Sequence, residues 1–195
     1  MKSQYKIAVL TSGHSRGSNF RAIFNYIKDK NLPIVVDFVL ITDSSAPIRA
    51  FCEQMGIDII YYDGQMKIND FLLDIFANKS IDLIVLAGFM RKLSKRFIET
   101  VRIPVINIHP ALLPKYGGKG MYGNKVHCAV FESGDQCSGA TVHHVSCEYD
   151  QGQIILQEEV DILDCQSAEE IAQKVLQIEH RIYGKAIEKL LLGED

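Results

Sequence analysis

Apolar positions in this chain come in two textures, short continuous runs and helically spaced stripes, and the two alternate along most of its length. Lys6 to Ser12 (KIAVLTS) is a nearly continuous apolar run ending in a Gly/Ser-rich turn, which reads as a strand covered on both faces. From Asn19 onward Phe20, Ile23, Phe24 and Ile27 recur at helical spacing, with Ser18 or Asn19 placed to cap the first turn. The pattern then repeats: strand over Ile34 to Thr42, helix over Ala46 to Met55 closed by Gly56, strand over Ile57 to Tyr62. Phe71, Leu72, Ile75 and Phe76 mark a further helix before the strand Ile81 to Ala87. Ser94 to Thr100 gives a short helix and Val105 to Ile108 another strand. Strands alternating with helices predict an α/β fold with a doubly wound, mostly parallel sheet and helices on both faces.

After Leu112 the texture changes. A Gly-rich stretch, YGGKGMYG, precedes a helix near Val126 to Ser133. The runs Ala140 to Val145 and Ile154 to Val160 then follow one another with no helix between them, which predicts antiparallel strands toward the C-terminus. Ser167-Ala168-Glu169-Glu170 resembles a capping box opening a long helix to about Leu192. No repeat, low-complexity segment or linker divides the chain, so residues 1–195 are expected to form a single domain.

Composition narrows the partners. With 47% hydrophobic and 23% charged residues the chain has enough apolar material for a sizeable core. A net charge of -3, with no Lys/Arg block longer than two residues, supplies no surface for nucleic acid or an acidic membrane. No apolar run approaches spanning length, and the N-terminal run breaks off too early for a signal-peptide core. The five cysteines, Cys52, Cys128, Cys137, Cys147 and Cys165, form no paired metal motif and no even disulfide framework, which points to reduced thiols and a cytoplasmic location.

Four segments carry candidate chemistry. The loop Ser12-Gly13-His14-Ser15-Arg16-Gly17-Ser18-Asn19 lies between a strand and a helix, where backbone N–H groups favour a phosphate; a structural Gly/Ser turn fits equally. Asn107-Ile108-His109-Pro110 ends a buried strand on the side of an α/β sheet where ligands bind, and strand alternation puts Asn107 and His109 on one side. An amide beside an imidazole can hold an oxyanion and move a proton, although a histidine can also simply finish a strand. Asp150 could orient His109, or serve only as a turn residue in its polar loop. Phe89-Met90-Arg91-Lys92-Leu93 sets apolar and cationic side chains at one sheet edge, with a core Met90 and a surface Arg91 as the alternative. Glu179-His180 reads by default as a solvated pair on a helix face. Adjacent strand residues point to opposite faces, so His143 and His144 cannot easily share an ion, and no metal is expected.

Taken in order, SGxxxxGSN, LAGFMR, NIHPALLPKY and an Asp-Gln-Gly loop run along essentially the whole chain, and that order resembles the folate-dependent formyl-transferring family, in particular its glycinamide ribonucleotide branch. The resemblance implies transfer of a formyl group from 10-formyltetrahydrofolate to a small phosphorylated amine in purine synthesis. It also implies catalysis by Asn107, His109 and Asp150, and a substrate phosphate held by Gly17, Ser18 and Asn19. Glu179 would be a further substrate contact, with folate bound by Lys67, Met90, Arg91, Lys92, Leu93 and Asn107. It implies a monomer or homodimer that uses small molecules only. A folate hydrolase and a non-catalytic folate- or phosphate-binding module are the alternatives. The stretch YGGKGMYGNKVH, Cys147 and Gln151-Gly152-Gln153 depart from the family's commonest form. With Gln151 and Gln153 in place of residues that usually stiffen or tighten the loop and Gly152 supplying the remaining freedom, Ser146 to Gln153 is expected to be more mobile than the strands around it without folate and to order on binding.

Overall fold

A computed structural model describes residues 2–12 and 17–193. Gly13, His14, Ser15 and Arg16 of the expected phosphate loop lie outside the described residues. The elements are β1 (Tyr5–Thr11), α1 (Ser18–Asp29), β2 (Ile34–Ile41), α2 (Ile48–Met55), β3 (Ile59–Tyr61), α3 (Ile68–Ala77), β4 (Leu83–Leu86), α4 (Lys95–Val101), β5 (Val105–His109), α5 (Asn124–Ser133), β6 (Cys137–His144), β7 (Ile154–Asp161) and α6 (Ala168–Leu192). The strands are ordered β3-β2-β1-β4-β5-β6-β7. The chain divides into two compact units, 1–106 and 107–195, with the boundary inside β5.

In the first unit β1 is central, parallel to β2 on one side and to β4 on the other. Ile7, Ala8, Val9 and Leu10 are fully buried, as the continuous apolar run requires of a strand covered on both faces. α1 buries Phe20, Ile23 and Ile27, and Phe20 and Phe24 both meet Phe51 of α2 edge-on at 5.9 and 5.4 Å. Phe76 of α3 packs against Phe38 and Phe97.

The N-terminus of α1 differs from the sequence expectation. Neither Ser18 nor Asn19 is the cap; Gly17 is, in the left-handed region at φ 69°, with no side-chain cap hydrogen bond. A Cβ at Gly17 would lie 2.5 Å from Ile48 Cδ1, so glycine is required there both by conformation and by the approach of α2.

The second unit is built on the antiparallel β6–β7 pair, in register from Cys137 opposite Asp161 to Val142 opposite Leu156, with a one-residue shift before His143 opposite Ile154. Gly139 permits that pairing, because a Cβ there would come within 2.1 Å of the Glu158 carbonyl oxygen. α6 lies on both strands and buries Ile171, Val175, Ile178, Ile182, Tyr183, Ala186 and Ile187 along one stripe. Each large apolar side chain so buried contributes about 1.5–3 kcal/mol, which outweighs propensity differences of up to about 0.7 kcal/mol per residue. Ser167 caps α6 by accepting from the Glu170 N–H, while the Glu170 carboxylate accepts from the Gln166 N–H at 2.6 Å.

Candidate active site

β5 carries Asn107 and His109 to its C-terminal end, and the segment after it turns back under tight control. Thr141 Oγ1 of β6 donates to the Ala111 carbonyl and accepts from the Leu113 N–H, and Gln157 Nε2 of β7 donates to both Thr141 Oγ1 and the Leu113 carbonyl. That network, buried at Thr141, fixes Ala111 to Leu113, so the following residues return past His109.

His109 is 4% exposed. Its Nε2 lies 2.7 Å from the Tyr116 carbonyl oxygen, which can only accept, so Nε2 carries a proton. Nδ1 then faces Asp150 Oδ2 at 3.6 Å. The same carboxylate oxygen accepts from the Gly118 N–H at 2.9 Å. Gly117 makes this approach possible, since a Cβ there would sit 3.3 Å from Asp150 Cβ and 2.6 Å from Leu113 Cδ2.

His143, which the sequence pattern rules out as a shared metal ligand and gives no other role, completes the cluster. Nδ1 donates to the His144 carbonyl at 2.9 Å, leaving Nε2 as an acceptor 3.5 Å from Asn107 Nδ2 and 3.7 Å from Asp150 Oδ1. Burial pushes the His143 pKa below its usual 6.5; the Asp150 charge pulls the other way and is outweighed. A neutral ring suits the amide, which can give one proton to His143 and keep the other for a ligand. The available signal was strand alternation, which puts His143 on the same side as Thr141. Asn107, His109 and Asp150 thus lie together, and an oxyanion placed among them would meet the Asn107 amide, His109 Nδ1 as a second donor once it takes up a proton, and a carboxylate able to accept one.

The aspartate loop corrects one expectation. Gly152 is not there for freedom: a Cβ would fall 1.6 Å from the His144 carbonyl oxygen, and the His144 N–H donates to the Gln153 carbonyl at 2.9 Å, closing the base of the loop. The left-handed residue is Asp150 itself, at φ 56°. Mobility is therefore expected only in Ser146 to Tyr149, where Glu148 and Tyr149 are exposed. In hydrogen exchange the Glu148 and Tyr149 amides should be faster than those of β6 and β7 and should slow when a folate analogue is added. Equal rates with and without it would make the loop a rigid part of the scaffold.

In the first unit, the expected folate segment is tied to the end of β1. The Ser12 N–H donates to the Gly88 carbonyl, and Ser12 Oγ accepts from the Met90 N–H at 2.7 Å. Asn69 spans the segment's other end, donating to the Lys92 carbonyl and accepting from the Ser94 N–H. Met90 is 55% exposed, so it is not a core residue, whereas Leu93 is buried. Arg91 is exposed, with its guanidinium 5.6 Å from the Tyr62 ring centre. Lys67 is exposed at the N-cap of α3. In the second unit, Glu179 is 8% exposed and so is no solvated surface residue.

His127, His143 and His180 all have pKa values lowered by burial. Their unfolded-state values lie near 6.5, so below that pH the unfolded chain binds more protons than the folded one and stability falls. Thermal unfolding should be nearly flat above pH 7 and shift to lower temperature from about pH 6.5 downward. A Tm constant to pH 5.5 would show that these rings titrate normally in the fold.

A family model described as formyl transferase matches residues 5–187. The chain is 34% identical over 190 residues to phosphoribosylglycinamide formyltransferase, chloroplastic, of Arabidopsis thaliana, covering 93% of this chain and 64% of that protein. It therefore spans less than two thirds of that relative's length. It is 33% identical over 183 residues to phosphoribosylglycinamide formyltransferase of Haemophilus influenzae, covering 91% of this chain and 83% of that one. Among solved structures, glycinamide ribonucleotide transformylase 1 from Symbiobacterium toebii superimposes with a TM-score of 0.86 at 29% identity, over 99% of this chain and 90% of that one.

Proposed function

The chain belongs to the formyl transferase family, and from that membership we propose that it transfers the formyl group of 10-formyltetrahydrofolate to the free amine of glycinamide ribonucleotide, a step of purine synthesis. One observation carries the reading: in the second unit His109 Nδ1 faces one oxygen of the Asp150 carboxylate, and the Asn107 amide lies beside His143, whose ring faces the other. The shared name of the relatives over most of this chain supports the choice of amine.

In this reaction the amine nitrogen attacks the formyl carbon. The C–N bond forms as the carbonyl π pair moves to oxygen. The Asn107 amide and His109 in its imidazolium form, which carries a second proton on Nδ1 opposite Asp150 while Nε2–H stays on the Tyr116 carbonyl, stabilise that oxyanion, a contribution of roughly 100-fold or more for a single well-aimed donor. Asp150 accepts the proton lost by the attacking nitrogen and hands it toward the folate nitrogen. The carbonyl then re-forms, the bond from carbon to the folate nitrogen breaks, and tetrahydrofolate leaves protonated. The residues perform this without a covalent enzyme intermediate, and no step calls for a metal.

Gly17, Ser18 and Asn19 hold the ribonucleotide phosphate at the start of α1, where the helix dipole favours an anion. Lys67 and Met90 to Leu93 contact the folate, with Asn107, and Glu179 contacts the ribonucleotide. Residues 1–195 act as one formyltransferase domain, as monomer or homodimer, on small molecules and not on nucleic acid. A cytoplasmic setting agrees with five free cysteines. No helix among the described residues is long and apolar enough to cross a membrane. Incubation with 10-formyltetrahydrofolate carrying a labelled formyl carbon, together with glycinamide ribonucleotide, tests the reading. The label should appear in an amide of the ribonucleotide; label found only as free formate would mean a hydrolase.

A further inference from the structure

We propose that Asp135 and Ser133, beyond and at the C-terminal end of α5, are positioning residues for the reaction: they hold the Tyr116 phenol so that the Tyr116 carbonyl fixes the ring and tautomer of His109. The inference rests on the function proposed above and adds to it a remote support for its central histidine.

The chain of contacts is continuous. His109 Nε2–H donates to the Tyr116 carbonyl at 2.7 Å. Tyr116 adopts φ 55°, a left-handed conformation that tyrosine takes up only when its surroundings impose it. Its hydroxyl supplies the restraint. The Asp135 carboxylate can only accept, so the phenol donates to Oδ2 at 2.8 Å, and Ser133 Oγ makes a second contact with the phenol oxygen at 2.6 Å. Lys115, the preceding residue, grips the same carboxylate through both oxygens at 2.9 and 2.7 Å. Two successive residues of the returning segment are thereby tied to one aspartate. Lys115 and Tyr116 together hold Asp135 well below the usual carboxylate range, which keeps it an acceptor at neutral pH.

Two residues beyond Tyr116, the Gly118 N–H holds Asp150 Oδ2. Fixing Tyr116 therefore sets both partners of the central pair: it directs the His109 proton on Nε2 away from the carboxylate and leaves Nδ1 facing it. Were the phenol released, the left-handed backbone would have less to hold it, the carbonyl would drift, and the imidazole could exchange tautomers. Asp135 is a quarter exposed and its Lys115 partner more so, so the ion pair adds little to global stability. Its importance lies in geometry.

The test is nitrogen-15 imidazole NMR on the ligand-free full chain, combined with steady-state kinetics of Tyr116→Phe, Ser133→Ala, Asp135→Ala and Asp135→Asn. Asp37→Asn, which breaks an ion pair with Lys6 and Lys79, is the control for simple destabilisation. In the unaltered protein His109 should show a pyrrole-type Nε2. In Tyr116→Phe and Asp135→Ala that signal should broaden or split between tautomers, with kcat lowered roughly 10-fold and KM for both substrates little changed. Asp135→Asn keeps an acceptor for the phenol and should recover most of the Nε2–H signal and of kcat. The proposal is overturned if the His109 spectrum is the same in all variants, whether or not kcat falls, or if Asp37→Asn disturbs it as much. If one variant does not fold, Ser133→Ala carries the same comparison. Should the unaltered protein fail to formylate the ribonucleotide, the proposed function is wrong, and the spectra alone still decide whether Asp135 sets the tautomer.

Discussion

Replacing His109 with Ala, or Asp150 with Asn, is expected to lower kcat by roughly 100-fold or more, and the double variant should be little worse than either single one. The reason is mutual dependence. His109 Nδ1 faces Asp150 Oδ2 at 3.6 Å inside a site where the two side chains are only 4% and 11% exposed. Without the carboxylate, nothing on the Nδ1 side favours a proton there; without the imidazole, the oxyanion keeps only the Asn107 amide and faces an unbalanced carboxylate. Asp150→Asn is the sharper variant because it preserves shape and an acceptor for the Gly118 N–H. Retention of near-normal kcat in Asp150→Asn would remove Asp150 from the mechanism. Strict multiplication of the two single losses would mean that the residues act independently.

Gly152→Ala should produce the largest loss of stability for the smallest chemical change. A Cβ at this position would fall 1.6 Å from the His144 carbonyl oxygen and 2.6 Å from its carbon, which are backbone atoms of β6 and cannot rotate away. Relief requires parting the base of the aspartate loop and losing the hydrogen bond from the His144 N–H to the Gln153 carbonyl. The cost should reach about 3 kcal/mol or more, the range of overpacking that the backbone must absorb. Gly64→Ala is the comparison: at φ 83° with nothing within 4 Å, it should cost only the left-handed conformation, about 1–2 kcal/mol. Chemical denaturation of both proteins checks this. Equal losses at the two positions would show that the loop base yields easily.

Much of this architecture is legible in the sequence because it rests on periodicity. The run from Ile7 to Leu10 has no polar residue and is paired on both edges within the first unit, and α6 announces itself through Ser167, Glu170 and a long apolar stripe. The antiparallel pair was readable from the missing helix between two strands. What failed were positions where backbone, not side chain, decides. Gly17 displaced Ser18 and Asn19 as the cap because a left-handed glycine and the approach of Ile48 overrode side-chain capping preference. Gly152 was read as a source of freedom when its role is contact with the His144 carbonyl.

The candidate site divides the same way. Asn107 and His109 were visible as a pair on one strand, but Asp150 was an ordinary turn residue until the order of motifs connected it to them. The Tyr116 carbonyl and Gly118 N–H that orient the cluster are main-chain atoms, which no residue type advertises. His143 carries no sequence signal beyond an excluded metal pair with His144, yet its ring faces both Asn107 and Asp150.

The most direct measurement is the release of tetrahydrofolate from 10-formyltetrahydrofolate by the purified protein, followed with and without glycinamide ribonucleotide. Release should be negligible without the amine, should rise to saturation as the amine is added, and should match the formylated ribonucleotide produced mole for mole. Release at the same rate in the absence of the amine would contradict formyl transfer and identify water as the acceptor, and no release under either condition would reduce the chain to a binding protein on a formyl transferase fold.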